Sequence, residues 1–209
     1  MATATYSSVI QIGSINVNRT RTYTTDAEIS VNPSLVVAQA GSLTTRTDND
    51  TGTITMSSGG HTIATGNTVD VYWDGGVQYG VTVGTVSGTA VPIDLGSGDN
   101  LPAQDTAVTV VVQQAVTCNI DGDNASLVVF YLVPSSDSDT TVAHLDMVDS
   151  GGSTILELDL VAGVPRIYDI AAGDSNALTG NPITSIKASQ AGTDAARVVK
   201  IAAVYDSTP

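Results

Sequence analysis

Short alternating segments separated by glycine-bearing turns dominate residues 51–114. The centre of this stretch has two alternating runs, Val69–Trp73 and Val77–Val83, on either side of Asp74-Gly75-Gly76. Asp-Gly between alternating runs is a strong hairpin signal, because a tight turn needs positive φ, which aspartate and glycine tolerate. The sequence therefore predicts a β-hairpin at this point, with Gly75 in a positive-φ turn position.

Further strands are predicted around this hairpin at a regular spacing. The predicted strands of this module are Gly52–Ser57, Thr68–Trp73, Gln78–Ser87, Ala90–Asp94 and Thr106–Gln113. Five short strands with tight turns favour a small SH3-like or OB-like β-barrel, because closure removes exposed sheet edges. We therefore assign residues 51–114 to a small β-barrel.

Residues 115–209 have a different pattern, which predicts a second β-module. A continuous apolar run at Leu127–Val133 is typical of a fully buried strand. Further strands are predicted at Thr140–Val148, Thr154–Leu160, Pro165–Ile170, Ile183–Ser189 and Arg197–Tyr205. Regular strands without helices favour a β-sandwich of the jelly-roll-like kind. The boundary between the two modules is predicted between residues 113 and 117.

Residues 1–50 are polar and rich in threonine and serine, which predicts an extended N-terminal arm with edge strands. The segment RTRTYTT at residues 19–25 is either an edge strand of the protein itself or an arm that docks on a neighbouring subunit. Asn32-Pro33 followed by SLVVAQA and Gly41 has the start and stop signals of a short helix. The predicted fold class is thus all-β, with an arm that could include one short helix.

The charge of the chain argues against two classes of partner. The formal net charge is −14, with seven basic and 21 acidic residues. Binding to a nucleic-acid backbone requires clustered lysine and arginine, and an anionic membrane surface requires the same. We expect no nucleic-acid and no membrane partner. No secretory signal or membrane-spanning run is expected, and the one cysteine, Cys118, forms no intrachain disulfide.

No catalytic constellation or metal site is evident, so we expect no enzyme activity, no catalytic residue, no metal and no cofactor. The two histidines, His61 and His144, fall in different modules, whereas a zinc site needs three or four ligands. His61 is expected to hydrogen-bond the backbone of a turn and to fix the entry of the barrel. No Gly-x-Ser-x-Gly elbow marks a nucleophilic serine.

Two acidic loops resemble fragments of calcium-binding loops. They are Ser97–Asn100 and Asp121–Asn124. Counted from Asp121, position twelve of an EF-hand would be Leu132, where a glutamate is required. The pattern favours Asx turns between strands, and the sequence leaves open whether Asp99, Asp121 or Asp123 binds calcium.

Aromatic side chains concentrate on the central hairpin of an otherwise aromatic-poor chain. Tyr72, Trp73 and Tyr79 are interpreted as cross-strand partners in a core or an interface rather than as a platform for a sugar or base. Together with three arm residues they form the predicted interface set: Arg19, Arg21, Tyr23, Tyr72, Trp73 and Tyr79.

Two stretches resemble structural proteins of tailed bacteriophages. One is GHTIATGNTVDVYWDGGVQYGVTVGTVSGTAVPIDLGSGDNLPA at residues 60–103. The other comprises ITSIKASQAGTD at residues 183–194 and VVKIAAVY at residues 198–205. The resemblance implies a decoration, cement or head-accessory protein on the virion, which binds the major capsid protein of the phage head after synthesis in the host cytoplasm. It implies a symmetric homo-oligomer, with a trimer favoured. A tail or fibre component, or a glycan-binding module that contacts the host surface, is the alternative.

Overall fold

The computed structural model of the protein describes residues 2–12, 15–25, 27–31, 33–96, 100–120, 127–169, 182–191 and 196–205. Every regular element within these ranges is a β-strand, which confirms the predicted all-β class. In the same ranges no helix is long and apolar enough to cross a membrane. The strands are β1 (Ala2–Ile12), β2 (Ile15–Thr25), β3 (Ala27–Val31), β4 (Gln39–Arg46), β5 (Thr51–Met56), β6 (Thr68–Trp73), β7 (Gly76–Val83), β8 (Ala90–Asp94), β9 (Ala107–Val112), β10 (Gln114–Ile120), β11 (Leu127–Leu132), β12 (Val142–Val148), β13 (Thr154–Val161), β14 (Arg166–Asp169), β15 (Ile183–Gln190) and β16 (Val199–Tyr205).

Six of these strands form a closed barrel, one strand more than the five that the sequence predicts. Their order is β4-β5-β8-β7-β6-β9, and β9 pairs with β4 to complete the closure. The strands alternate between buried aliphatic residues and more exposed polar ones, so their inner faces form one apolar core. That core comprises Leu43, Ile54, Met56, Ile63, Val69, Val71, Val81, Val83, Val91, Ile93, Leu101, Val108 and Val110.

The predicted central hairpin is present, and its turn has two residues. Asp74 and Gly75 connect β6 to β7, and Gly75 has φ +87°. The positive φ belongs to Gly75 and not to Asp74. Further along β7 the pairing with β6 shifts register, so that Tyr79 and Gly80 together lie opposite the single residue Asp70. Gly80 has φ +68°, as expected for a bulge that needs a left-handed residue.

The second module is a sandwich of two four-stranded antiparallel sheets. The sheet orders are β10-β15-β12-β13 and β14-β11-β16-β3. The eight strands of the sandwich are β3 and β10 to β16. Renumbered 1 to 8 in chain order, they give the sheet orders 2-7-4-5 and 6-3-8-1, which is jelly-roll topology. The shared core contains Cys118, Ile120, Val128, Phe130, Leu132, Ala143, Leu145, Met147, Leu160, Ile183, Ile186, Ala188, Val199, Ile201 and Ala203.

The first strand of the jelly roll comes from the segment that the sequence analysis assigns to the arm. β3 pairs with β16 in an antiparallel register, with Val31 opposite Ile201. The first barrel strand, β4, also lies before residue 51. The barrel is therefore inserted between the first and second strands of the jelly roll. The physical reason is that strand partners need not be close in sequence, so a local pattern cannot identify them.

The short helix expected after Asn32 is absent, and that prediction is wrong. Residues 33–38 contain no helical turn, and Ser34 forms an isolated antiparallel β-bridge with Val198. Their backbone hydrogen-bonds the C-terminal part of the chain, with Leu35 N donating to Arg197 O (2.8 Å) and Val199 N donating to Pro33 O (3.0 Å). Leu35 is buried in the sandwich core. Tertiary contacts therefore override the local start and stop signals of a helix.

The N-terminal strands form a separate two-stranded sheet. β1 and β2 pair in register from Ala2 opposite Thr25 to Ile12 opposite Ile15. Among the described strands, neither pairs with any other strand. We call this pair of strands, within residues 2–25, the N-terminal ribbon. Eleven residues per strand give it a length of roughly 36 Å.

Candidate functional site at the barrel–sandwich junction

Polar side chains of the described residues, four of them buried, meet where the barrel contacts the sandwich. β6 and β7 contribute from the barrel, β12, β13 and β15 from the sandwich, and residue 113 from the link between β9 and β10. We call this set the junction network, and it consists of Asp70, Tyr72, Tyr79, Gln113, His144, Asp146, Asp159 and Ser189. It includes four of the six buried polar or charged residues in the described part of the chain.

Asp70 is the barrel's contribution to the centre of the network. Its side chain is fully buried, and its Oδ1 accepts hydrogen bonds from Gly80 N and Gln113 Nε2, both at 2.8 Å. The β7 bulge brings the Gly80 amide to this carboxyl group. Ser189 Oγ donates to Asp70 Oδ2. Burial raises the pKa of Asp70, and the hydrogen bonds from Ser189 and Gly80 oppose that rise.

Ser189 connects the sandwich to two barrel side chains. It lies on β15 and is almost completely buried. Because its own proton is used by Asp70, Tyr72 donates its hydroxyl proton to Ser189 Oγ at 3.2 Å. Burial raises the pKa of Tyr72, so this hydroxyl keeps its proton. The three groups form a continuous hydrogen-bonded chain across the junction.

Gln113 lies between the last barrel strand and the second strand of the jelly roll. Its Nε2 donates to Asp70 Oδ1 in the barrel at 2.8 Å and to Asp146 Oδ2 in the sandwich at 3.3 Å. Its Oε1 is buried and accepts no hydrogen bond from the described residues. The link between the two modules therefore also bridges their two buried carboxyl groups.

His144 is held between two carboxylates on the outer face of the β10-β15-β12-β13 sheet. Nδ1 lies 2.8 Å from Asp159 Oδ1, and Nε2 lies 3.1 Å from Asp146 Oδ1. Burial opposes the charged form of His144, but the hydrogen bonds to Asp146 and Asp159 outweigh it and raise its pKa to about 9. His144 is therefore an imidazolium at neutral pH and donates to both carboxylates.

Tyr79 of the barrel covers the ring of His144. The two rings are stacked, with centroids 3.6 Å apart and an interplanar angle of 6°. Tyr79 also makes an edge-to-face contact with Tyr72, at a centroid distance of 6.1 Å. A cation stacked on an aromatic ring gains electrostatic as well as packing energy. Burial raises the pKa of Tyr79 to about 12, with the nearby carboxylates adding to the effect.

The geometry of the network is that of a structural contact rather than of a nucleophile with its base. Ser189 and His144 are cross-strand partners, yet the serine donates to Asp70 and both imidazole nitrogens face carboxylates. A general base must have a free nitrogen within reach of the nucleophile's proton. No group of three or more metal-ligating residues with the arrangement of a metal site is found in the described ranges.

The predicted interface residues divide into three groups. Tyr72 and Tyr79 lie together in the junction network, so they hold the two modules of one chain together. Trp73 packs across the hairpin on Gly76, where a Cβ would lie 2.6 Å from its ring. It also borders an open groove of about 570 Å³ on the barrel. Arg19, Arg21 and Tyr23 belong to β2, and their side chains lie outside the described atoms.

Sequence reasoning missed the partners that these tyrosines find in the sandwich. One signal was available in the barrel, since Asp70 interrupts the valines of β6 at a position flanked by Val69 and Val71. A charged residue inside an apolar run needs a buried partner. In the sandwich, His144 and Asp146 share one face of β12 because they are two residues apart.

Two other expectations about single residues have different outcomes. The expected hydrogen bond of His61 to a turn backbone is confirmed, since its Nε2 lies 2.8 Å from the carbonyl oxygen of Gly88 in the turn before β8. Asp99, Asp121 and Asp123, in the acidic stretches expected to form Asx turns, lie outside the described residues. Cys118 is a buried free cysteine, and burial raises its pKa to about 11.

Comparisons with known proteins do not add a family to this description. No family model, no curated protein and no solved structure matches the chain.

Proposed function

We propose that the chain is a structural, non-enzymatic protein of a tailed-phage virion that decorates or cements the capsid through protein–protein contacts. The observation that carries this proposal is the N-terminal ribbon, which pairs only with itself among the described strands. A single two-stranded hairpin is marginally stable in water. A ribbon of this length is therefore best explained as a segment that is stabilised by another molecule.

The folded body supports the same role. The jelly-roll fold recurs in viral capsid domains and in lectin domains, which supports the proposal by analogy of fold. The junction network uses its polar groups to hold barrel and sandwich together, as a rigid decorating body requires. A net charge of −14 makes neighbouring copies repel each other, which limits non-specific aggregation of a densely displayed protein.

The proposed partners follow from this role. The major capsid protein of the phage head would bind the body or the ribbon at the capsid surface. The chain would form a cyclic homo-oligomer, with a trimer favoured, because closed symmetry is the usual way for repeated subunits to cover unpaired edges.

The test is the composition and structure of purified particles of the virus that encodes the chain. We expect the chain in the particles at a copy number comparable to that of the capsid protein. Cryo-electron microscopy should show a β-rich density of its size on the outside of the head. Absence from the particles, or presence at a few copies confined to the tail, would contradict the decoration role.

A glycan-binding module on a tail or fibre is the second candidate, and the groove beside Trp73 favours it. The groove is open, and its wall includes the partly buried Trp73 and the exposed Asp74. Aromatic rings with nearby polar groups are typical of carbohydrate sites. Binding on a glycan array that is lost in Trp73→Ala, and kept in a Tyr131→Ala control on the other module, would support this candidate over decoration.

A further inference from the structure

The open edge of β13 is a potential acceptor for another strand. β13 is the last strand of its sheet, and in the described part of the chain it pairs with β12 alone. Ala162 N donates to Thr141 O, its directly opposite partner (2.9 Å). Because hydrogen-bonded pairs alternate along an antiparallel ladder, the backbone groups of Glu157 and Asp159 point away from β12.

The side chains along this edge define what can bind it. Glu157 and Asp159 are exposed on the same face. Val161 and Val164, at the end of β13 and in the following turn, are the exposed large hydrophobic residues of the described chain, at 39% and 48% exposure. Two acidic strands brought side by side would repel each other, so this edge is protected from pairing with its own copy.

The N-terminal ribbon has the complementary charge. Residues 2–25 include two of the chain's seven basic residues, Arg19 and Arg21, and none of its 21 acidic residues. Both arginines lie on β2, opposite the uncharged Ser8 and Tyr6 of β1. The ribbon is thus the basic segment of a strongly acidic protein, and it has two strand edges without a partner among the described strands.

The position of the ribbon in the fold indicates that its acceptor lies on a second copy. The ribbon ends at Thr25, and β3 begins at Ala27 on the edge of the β14-β11-β16-β3 sheet. β3 faces β10, at the opposite side of the sandwich from β13. A single intervening residue keeps the Thr25 end of the ribbon beside β3, so β2 cannot lie along the full β13 edge of its own sandwich.

We propose that the N-terminal ribbon of one copy adds as a strand to the β13 edge of a second copy, with β2 against Glu157 and Asp159. Donor and acceptor lie on opposite sides of the molecule, so the contact is head-to-tail and generates a ring when the rotation closes. Backbone hydrogen bonds supply the affinity, and the arginine–carboxylate attraction selects the ribbon over another β13 edge. This inference rests on the assembly role proposed above and specifies its subunit contact.

Sedimentation of the full-length protein with variants at Glu157 tests the acceptor. Glu157→Pro removes a backbone donor that faces away from β12, so it should leave the melting temperature nearly unchanged and raise the dissociation constant at least tenfold. Glu157→Gln keeps that donor and serves as the matched control, with a smaller loss. Arg19→Glu with Arg21→Glu should also weaken association, and adding Glu157→Lys should restore part of it.

Cross-linking identifies the occupant directly. A photoreactive residue is placed at position 157, and unlabelled and 15N-labelled full-length chains are mixed. We expect cross-links from position 157 to residues 15–25 that join an unlabelled chain to a labelled one. Links between two β13 strands, links within one chain, or a protein that stays monomeric would each overturn the inference. Binding to viral shells is measured separately. A monomer that still decorates shells refutes this contact alone, whereas a ribbon-linked oligomer that is absent from virions refutes the decoration role alone.

Discussion

The barrel and the jelly-roll sandwich are both all-β modules with aliphatic cores, but they place their charges differently. In the described part of the barrel, Asp70 is the one buried charged residue, and it faces the junction rather than the core. The sandwich buries His144, Asp146 and Arg197, and Arg197 Nε donates to Asp139 Oδ2 at 2.8 Å. The stability of the barrel should therefore depend on apolar burial and turn conformation, whereas the sandwich and the junction should also respond to pH.

The largest effect is expected from removing Asp70, the buried carboxyl group that joins the barrel to the sandwich. Asp70→Ala leaves Gly80 N, Gln113 Nε2 and the Ser189 hydroxyl without their acceptor in a buried site. We expect a loss of roughly 3–5 kcal/mol in the free energy of unfolding, as for other buried polar groups that lose a partner. Scanning calorimetry should show one cooperative transition in the parent and two in the variant.

Two further variants control for this effect. Asp70→Asn keeps an acceptor for Gly80 and Gln113, so it should lose less stability than Asp70→Ala. Asp74→Ala removes an exposed aspartate from the same hairpin and should change stability by about 0.5 kcal/mol or less. If Asp70→Ala melts in a single transition close to that of the parent, the junction network does not couple the modules.

A smaller effect is expected from pH, because the stability of the sandwich and the junction should depend on the protonation of His144. His144 has a pKa of about 9 in the folded protein and 6.5 as its ordinary value. Its contribution is thus fully present below pH 6.5 and is lost as pH rises to about 9. The difference corresponds to at most about 3 kcal/mol, and the partial exposure of Asp159 reduces it. Melting temperatures between pH 6 and pH 9 should fall in the parent.

The matched variant for this series is His144→Gln, which has no titratable ring. Its melting temperature should be lower than that of the parent at pH 6 and should change little up to pH 9. Cys118, whose pKa is raised to about 11 by burial, is present in both proteins, so its contribution cancels in the comparison. Equal slopes for parent and variant would assign the pH dependence to other groups.

The five predicted strands of the barrel and the six predicted strands of the sandwich are all present, because strands and turns follow from local patterns. The hairpin at Asp74-Gly75, the strands Thr68–Trp73 and Ala90–Asp94, and the turn contact of His61 all follow from residues close in the chain or from turn chemistry. The alternating pattern fixes which side chains are buried, and glycine marks the turns. The missing barrel strand, β4, lies in a polar segment with a weaker pattern.

The parts that the sequence did not reveal depend on distant pairing. β3 joins β16 across most of the chain, and a five-residue strand gives no local sign of its partner. The junction network joins Asp70 to Ser189, which are 119 residues apart. The sequence predicts Tyr72 and Tyr79 as interface residues, but it does not identify their partners Ser189 and His144, which lie in the other module. Local patterns predict elements and turns, whereas the site depends on how two separate modules meet.

The smallest expected effect concerns the barrel alone and involves no charge. Gly75 has φ +87° and open space where a side chain would lie, so Gly75→Val creates strain without a clash. An L-residue in the left-handed region costs roughly 1–2 kcal/mol, and a β-branched one is especially unfavourable. Gly59→Val is the matched control, because Gly59 also has open space but no positive φ, and it should melt like the parent.

Since the cost is conformational, the loss in Gly75→Val should be the same at pH 6 and pH 9, in contrast to the His144 effect. A Gly75→Val protein that melts like the Gly59→Val control would show that the turn does not require the left-handed conformation. A pH-dependent loss would mean that the barrel's stability is not independent of the charged junction.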